Sequence, residues 1–304
     1  MRATGEGALR TRTEDESEEE AMEPIRNRHL QATARRLAAA VLCLTLLGAP
    51  PASAQDTPPP PPASAGLEFT SLVNLPIAGM LERGSYEIDL RMYPRGGLYS
   101  FVSIGLFSSV DMGFSFGAGN VIGRGPVDWN PSAEFLFKAR LLRESFLLPA
   151  LALGFASQGY GPYLEDLERY TVKSPGFFAV ASKNYRFLGE LGFHLGANKS
   201  REDADDDDLN FYLGVDKSVG TDLYLVTEYD LALNDNGDQA VGYGSGYLNL
   251  GVKWVPTSRL RLELFFTNLL DNVRAEGKPA TIANITETLG GAGREIRIVY
   301  VDWF

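Results

Sequence analysis

The sequence predicts an all-β chain, an antiparallel up-and-down transmembrane β-barrel of about twelve strands. Three observations predict it. Apolar residues recur at every second position, the strand period, from Tyr86 to the last residue. The links between the alternating segments are short and long in turn. The chain ends inside its final alternating segment, on Phe304.

Bulk composition hides this pattern. The 304 residues are 44% hydrophobic and 22% charged with a net charge of -11, the averages of an acidic soluble protein. That balance excludes a nucleic-acid partner, which needs a basic face. The single cysteine, Cys43, excludes a disulfide scaffold and a cysteine zinc site. No apolar run reaches the ~18 residues of a helical span, a limit that leaves spanning strands open.

Taken in order, residues 1–25 hold a dense acidic run from Glu14 to Glu20 and read as a disordered tail or a misassigned start. Residues 26–54 read as a signal peptide. Arg26, Arg28, Arg35 and Arg36 precede the short apolar run Leu37 to Leu47, and Ala52-Ser53-Ala54 is a cleavage pattern. Residues 55–66 form a Pro-rich linker around Pro58 to Pro62. Residues 67–83 are expected at the periplasmic mouth or inside the lumen as a plug, and residues 84–304 form the barrel.

Twelve segments alternate, near 84–94, 98–107, 110–118, 133–142, 147–157, 175–184, 188–198, 209–217, 223–233, 246–255, 259–268 and 294–304. In the first, Tyr86, Ile88, Leu90 and Met92 face one way and Glu87, Asp89 and Arg91 the other. The fourth sets Phe135 and Phe137 against Glu134, Lys138 and Arg140. The eighth sets Leu209, Phe211 and Leu213 against Asn210 and Asp216. The eleventh sets Leu260, Leu262, Leu264 and Phe266 against Arg261 and Glu263. Several segments are about ten residues, the length a tilted strand needs to cross a bilayer.

Connections two, four, six, eight and ten are short, as at Ser108-Ser109 and Pro256 to Ser258. Connections three, five, seven, nine and eleven are long: 119–132, 158–174, 199–208, 234–245 and 269–293. Only connection one, Arg95 to Gly97, departs from this. Such asymmetry places both termini in the periplasm and the long loops outside. Tyr93, Tyr99, Tyr185, Tyr229, Tyr247, Trp254 and Trp303 lie at strand ends and are expected in interfacial girdles. Phe304 with Tyr300, Ile298 and Ile296 resembles the terminal signal read by the barrel-assembly machinery, although Asp302 stands where an apolar residue is usual. The expected setting is the outer membrane of a Gram-negative-type bacterium, among lipid and lipopolysaccharide.

Alternation turns a mixed set of charges inward: Glu87, Asp89, Arg91, Glu134, Lys138, Arg140, Asp216, Glu228, Asp230, Lys253, Arg261, Glu263 and Arg297, together with His194 and Asn210. These either cross-link and fill the lumen or line a small pore for a polar solute. His194 is a candidate base for a membrane-embedded lipid or peptide hydrolase, with Ser182 and Asn210 as conceivable partners. A third possibility is a structural or adhesive barrel that works through its loops. Asp205, Asp207, Asp235 and Asp238 are oxygen-rich loop positions and weak candidates for Ca²⁺; EF-hand spacing is absent and solvated loop charge is the simpler reading. No cofactor is expected.

The run from Leu72 to Gly84, with Asn74, Pro76, Ala78, Leu81 and Gly84 at its fixed positions, resembles the opening of YjbH-type outer-membrane proteins. That resemblance implies a barrel associated with exopolysaccharide production or export, with a polysaccharide as a candidate partner. It implies no catalytic residues.

Overall fold

A computed structural model describes residues 68–202, 208–237, 240–273 and 290–304. The expected tail, signal peptide and linker, and Asp205, Asp207 and Asp238, lie outside the described residues.

The strands are β1 (Ser85–Tyr93), β2 (Gly97–Phe107), β3 (Val110–Gly119), β4 (Asp128–Trp129), β5 (Glu134–Leu142), β6 (Ala150–Ala156), β7 (Tyr160–Leu164), β8 (Arg169–Val172), β9 (Gly176–Arg186), β10 (Glu190–Lys199), β11 (Asn210–Val219), β12 (Leu223–Asp230), β13 (Tyr247–Thr257), β14 (Leu260–Thr267) and β15 (Gly293–Trp303). Twelve of them form one antiparallel ring in chain order. β4 is a short addition beside β3, and β7 with β8 makes a separate hairpin within a long loop. The ring closes where β1 pairs with β15, from Ser85 opposite Trp303 to Met92 opposite Ile296. Closure satisfies the backbone of both terminal strands, and so leaves no open edge in lipid.

Sidedness follows the sequence period. In β1, Ile88 and Leu90 are exposed while Glu87, Asp89 and Arg91 are buried. Outside, Phe114, Phe135, Phe177, Phe193, Leu195 and Ile296 are all exposed. A soluble barrel would turn such residues inward; an apolar exterior around a charged interior suits a bilayer. The two 3-10 turns, Pro94–Gly96 and Glu165–Leu167, are the only helical elements among the described residues.

Four of the expected girdle aromatics do not face lipid. Tyr93, Tyr99 and Tyr247 lie on the inward register and are at most 4% exposed. Tyr229 is on the outward register but is covered by the following loop, where its hydroxyl donates to Ser245 O at 2.8 Å. Tyr185 and Trp254 do face outward, about half exposed. Trp303 sits at the terminal rim, its indole N–H donating to Glu82 at 3.0 Å.

Residues 68–83 run inside the ring. Leu72 to Leu81 are buried without joining the barrel sheet. They form a hairpin of their own, with Leu72 N–H donating to Leu75 O and Ile77 N–H to Thr70 O. Both ends sit at the rim where β15 ends: Glu68 pairs with Arg140 at 2.9 Å, and Gly84 N–H donates to Gly105 O. The wall makes room where Gly214 faces Leu72; a Cβ there would lie 2.0 Å from Leu72 Cδ1. At the opposite rim the β7–β8 hairpin folds inward. The Tyr99 hydroxyl donates to Gly161 O, and the Arg91 guanidinium stands 4.5 Å from the Tyr160 ring centre.

Candidate functional site: the occupied lumen

The hairpin's tip is held by one carboxylate. Glu228 on β12 accepts N–H bonds from Val73, Asn74 and Leu75 at 2.9–3.1 Å and a fourth bond from the Asn249 amide at 2.8 Å. Successive backbone N–H groups curled this way make an anion-binding nest. Arg91 grips the same turn from β1, donating to Val73 O at 3.0 Å and to Asn74 Oδ1 at 2.7 Å. On the other side Lys138 donates to the carbonyls of Thr70, Ile77 and Gly79. Lys253 donates to Ser71 O at 2.7 Å, and the Tyr212 hydroxyl to Pro76 O at 3.0 Å. Apolar contacts add to these: Leu72, Val73 and Ile77 pack with Val226 and Phe265.

The wall charges pair with one another. Arg297 lies 2.5 Å from Asp89, 3.3 Å from Glu263 and 3.8 Å from Glu87. Arg261 joins Glu87 at 3.3 Å and also binds Glu263, which Lys253 approaches to 3.6 Å. Arg91 pairs with Glu295 at 2.6 Å, and Lys138 with Asp111 at 3.8 Å. Asp89 Oδ1 and Arg261 Nη1 have no hydrogen-bond partner among the described residues. Most of the expected lumen residues are therefore buried on the inner face. Glu134 and Arg140 instead lie towards the two rims, half-buried. Asp111, Asn249 and Glu295 belong to the same network. Alternation carried the signal for them, as in Asp111, Gly113 and Ser115 set against Met112, Phe114 and Phe116.

His194 sits in a relay with Ser182 and Asp216. Its Nδ1 is 2.8 Å from Ser182 Oγ and its Nε2 is 2.7 Å from Asp216 Oδ1. The carboxylate can only accept, so in the neutral ring the proton is on Nε2 and Nδ1 accepts from the serine hydroxyl. Ser182 Oγ in turn accepts from Ala78 N–H of the hairpin at 2.9 Å. Asn210 is not a partner of His194; it binds Asn198 and Asp230. The structure thus replaces the expected Asn210 by Asp216, which lies across from Gly192 and brings its carboxylate to the ring. Ser182 shares the inner face with Phe178 and Val180, both buried.

Asp235 is not a free oxygen ligand. It pairs with Arg169 at 2.7 Å and accepts from Val241 N–H, Gly242 N–H and the Tyr247 hydroxyl. Burial would raise its carboxyl, but Arg169 prevails and holds it below the ordinary value. No group of three or more potential metal ligands occurs among the described residues. In the loops, Glu202 accepts from Tyr170 N–H and Ser174 N–H, while burial pushes its carboxyl up to about 7. At the terminal rim Phe304 is exposed beside Tyr86, and Tyr300 faces outward.

No protein-family model matches this chain, and no curated protein matches it. Solved structures similar to it include a KdgM porin, with a TM-score of 0.40 and 9% identity over 72% of this chain and 99% of that one. A NanC porin gives 0.40 and 7% over the same shares. The Omp33 outer-membrane protein of Acinetobacter baumannii gives 0.39 and 9% over 72% and 97%. The barrel itself is established by the strand pairings of this chain.

Proposed function

We propose that this chain is an outer-membrane barrel working as a gated pore for a polar solute, with residues 68–83 as its plug. The observation that carries the reading is the wall behind the hairpin. A permanently filled core needs no Arg91, Lys138, Lys253, Glu228 or Arg297, because apolar residues of similar volume would serve stability as well or better. Those groups are what an aqueous path needs once the hairpin withdraws. The hairpin is tethered at one rim and shares no strand pairing with the wall, so withdrawal breaks side-chain contacts and leaves the barrel sheet intact. The resemblance of residues 72–84 to YjbH-type proteins suggests a polysaccharide export setting for such a pore.

Liposome swelling tests this. Vesicles carrying Glu228→Gln should swell in small neutral sugars faster than vesicles carrying the unaltered chain, because one carboxylate oxygen becomes an NH₂ facing N–H donors. Equal, background-level swelling from both, with the variant shown to be folded, would count against a gated pore.

A second reading rests on the Ser182–His194–Asp216 relay, whose order matches that of a hydrolase nucleophile, base and orienting carboxylate. Ala78 covers the serine in the described arrangement. A fluorophosphonate probe should label Ser182 in a chain lacking residues 68–82 if this reading holds, and leave it unlabelled if the relay is only a clip for the hairpin.

A further inference from the structure

Between the β7–β8 hairpin and the plug tip lies an open-mouthed pocket of about 90 Å³ on the long-loop side. Its walls include Asn74 of the plug, Tyr93, Tyr160, Asn249 and Asn268. Its charged lining residues among those described are Arg95 and Glu295, and Glu295 is already committed to Arg91. The walls therefore offer amides, hydroxyls and ring surfaces with little net charge. One wall group is poorly satisfied: the Tyr93 hydroxyl, on a side chain only 4% exposed, makes no well-formed hydrogen bond among the described residues and has only the stacked Tyr99 as a marginal partner. A buried donor without a good partner is costly, and marks a place where a ligand atom or an ordered water belongs. Ring carbons set beside amides and hydroxyls suit a polyhydroxylated molecule, which has C–H faces and hydroxyl edges.

We propose that this vestibule recognises one edge of a neutral sugar, and that binding there loosens the plug. The pocket is below the few hundred Å³ of a typical enclosing site, so it takes an edge and leaves the remainder of the molecule outside. The link to the plug is Asn74. Its Oδ1 accepts from Arg91 at 2.7 Å while the residue also lines the vestibule. Arg91 in turn faces Tyr160, another wall of the pocket. A hydroxyl that engages Asn74 competes with a contact that holds the tip, and one that displaces Tyr160 removes the ring that backs Arg91, so ligand binding and plug release are linked.

This rests on the gated-pore reading, and two measurements on the full chain in detergent and in planar bilayers separate them. Calorimetric titration with maltotriose should show saturable binding, weaker for glucuronate. Tyr93→Phe should reduce maltotriose affinity about threefold to tenfold, the weight of one hydrogen bond. The same substitution should leave thermal stability unchanged or raised, because it removes a poorly satisfied buried hydroxyl; a merely structural tyrosine would lose stability instead. In bilayers, maltotriose on the loop side should increase openings of the unaltered chain and act less on Tyr93→Phe. Absence of saturable binding, or binding equal in Tyr93→Phe, would overturn the site even if Glu228→Gln opens a pore. Binding that is lost in Tyr93→Phe, in a barrel that never conducts, would uphold the site and overturn both its link to opening and the pore.

Discussion

Glu228 and Arg91 hold the plug tip from opposite walls, and they differ in what their loss exposes. Arg91→Ala would leave Glu295 buried without its cation and Val73 O and Asn74 Oδ1 without a donor, a cost of about 3 kcal/mol or more. A clearly lowered unfolding midpoint in micelles is expected. Glu202 gives a pH dependence in the loops. Its folded value of about 7 lies above the ordinary 4.5, with burial as the main cause and the amide bonds opposing it. The folded loop therefore binds the proton more tightly than the unfolded one. Its contribution is complete below pH 4.5 and is lost as pH rises through about 7. Hydrogen exchange at the Tyr170 and Ser174 amides, corrected for intrinsic rates, should speed up between pH 5 and pH 8. Unchanged protection would show that the carboxylate stays seated when charged.

Among the elements, the plug hairpin depends on the wall glycine that makes room for it. Gly214→Val places branched carbons where the Leu72 side chain now lies and close to Thr227 O, so Leu72 must leave its seat against the wall. The variant should form the barrel yet release the plug, seen as faster proteolysis within 68–83 while the rest of the chain resists. The strands themselves were legible in the sequence, because each has one lipid-facing row and one inner row, and period two survives any loop insertion. All twelve alternating segments are strands of the ring. Tyr93, Tyr99 and Tyr247 depart from the girdle expectation because position at a strand end says nothing about face. Tyr93 and Tyr247 share a register with Arg91 and Asn249, and that register decided where they point. The β7–β8 hairpin gave no such signal, since Tyr160-Gly161-Pro162-Tyr163 has no alternation and is ordered by what it covers.

Over the whole molecule, the -11 net charge and moderate hydrophobicity averaged two opposite faces. Resolved by register, they become an apolar exterior and a charged interior. Partners in the lumen were harder to read than faces. Asp216 meets His194 across a neighbouring strand, and Glu228 meets residues 73–75 across a separation of more than 150 positions, so no local spacing records either contact. A closed barrel of twelve paired strands should keep its sheet in detergent at room temperature and open only on boiling. It should therefore migrate differently on a gel before and after heating; identical migration would contradict closure. Residues 68–83 occupy the lumen, and single-channel recording of the unaltered chain beside a chain lacking residues 68–82 reads whether they close it. A closed or rarely open barrel should become a steady conductor when the segment is removed. Equal conductance in the two, from chains that both show heat-modifiable migration, would contradict it.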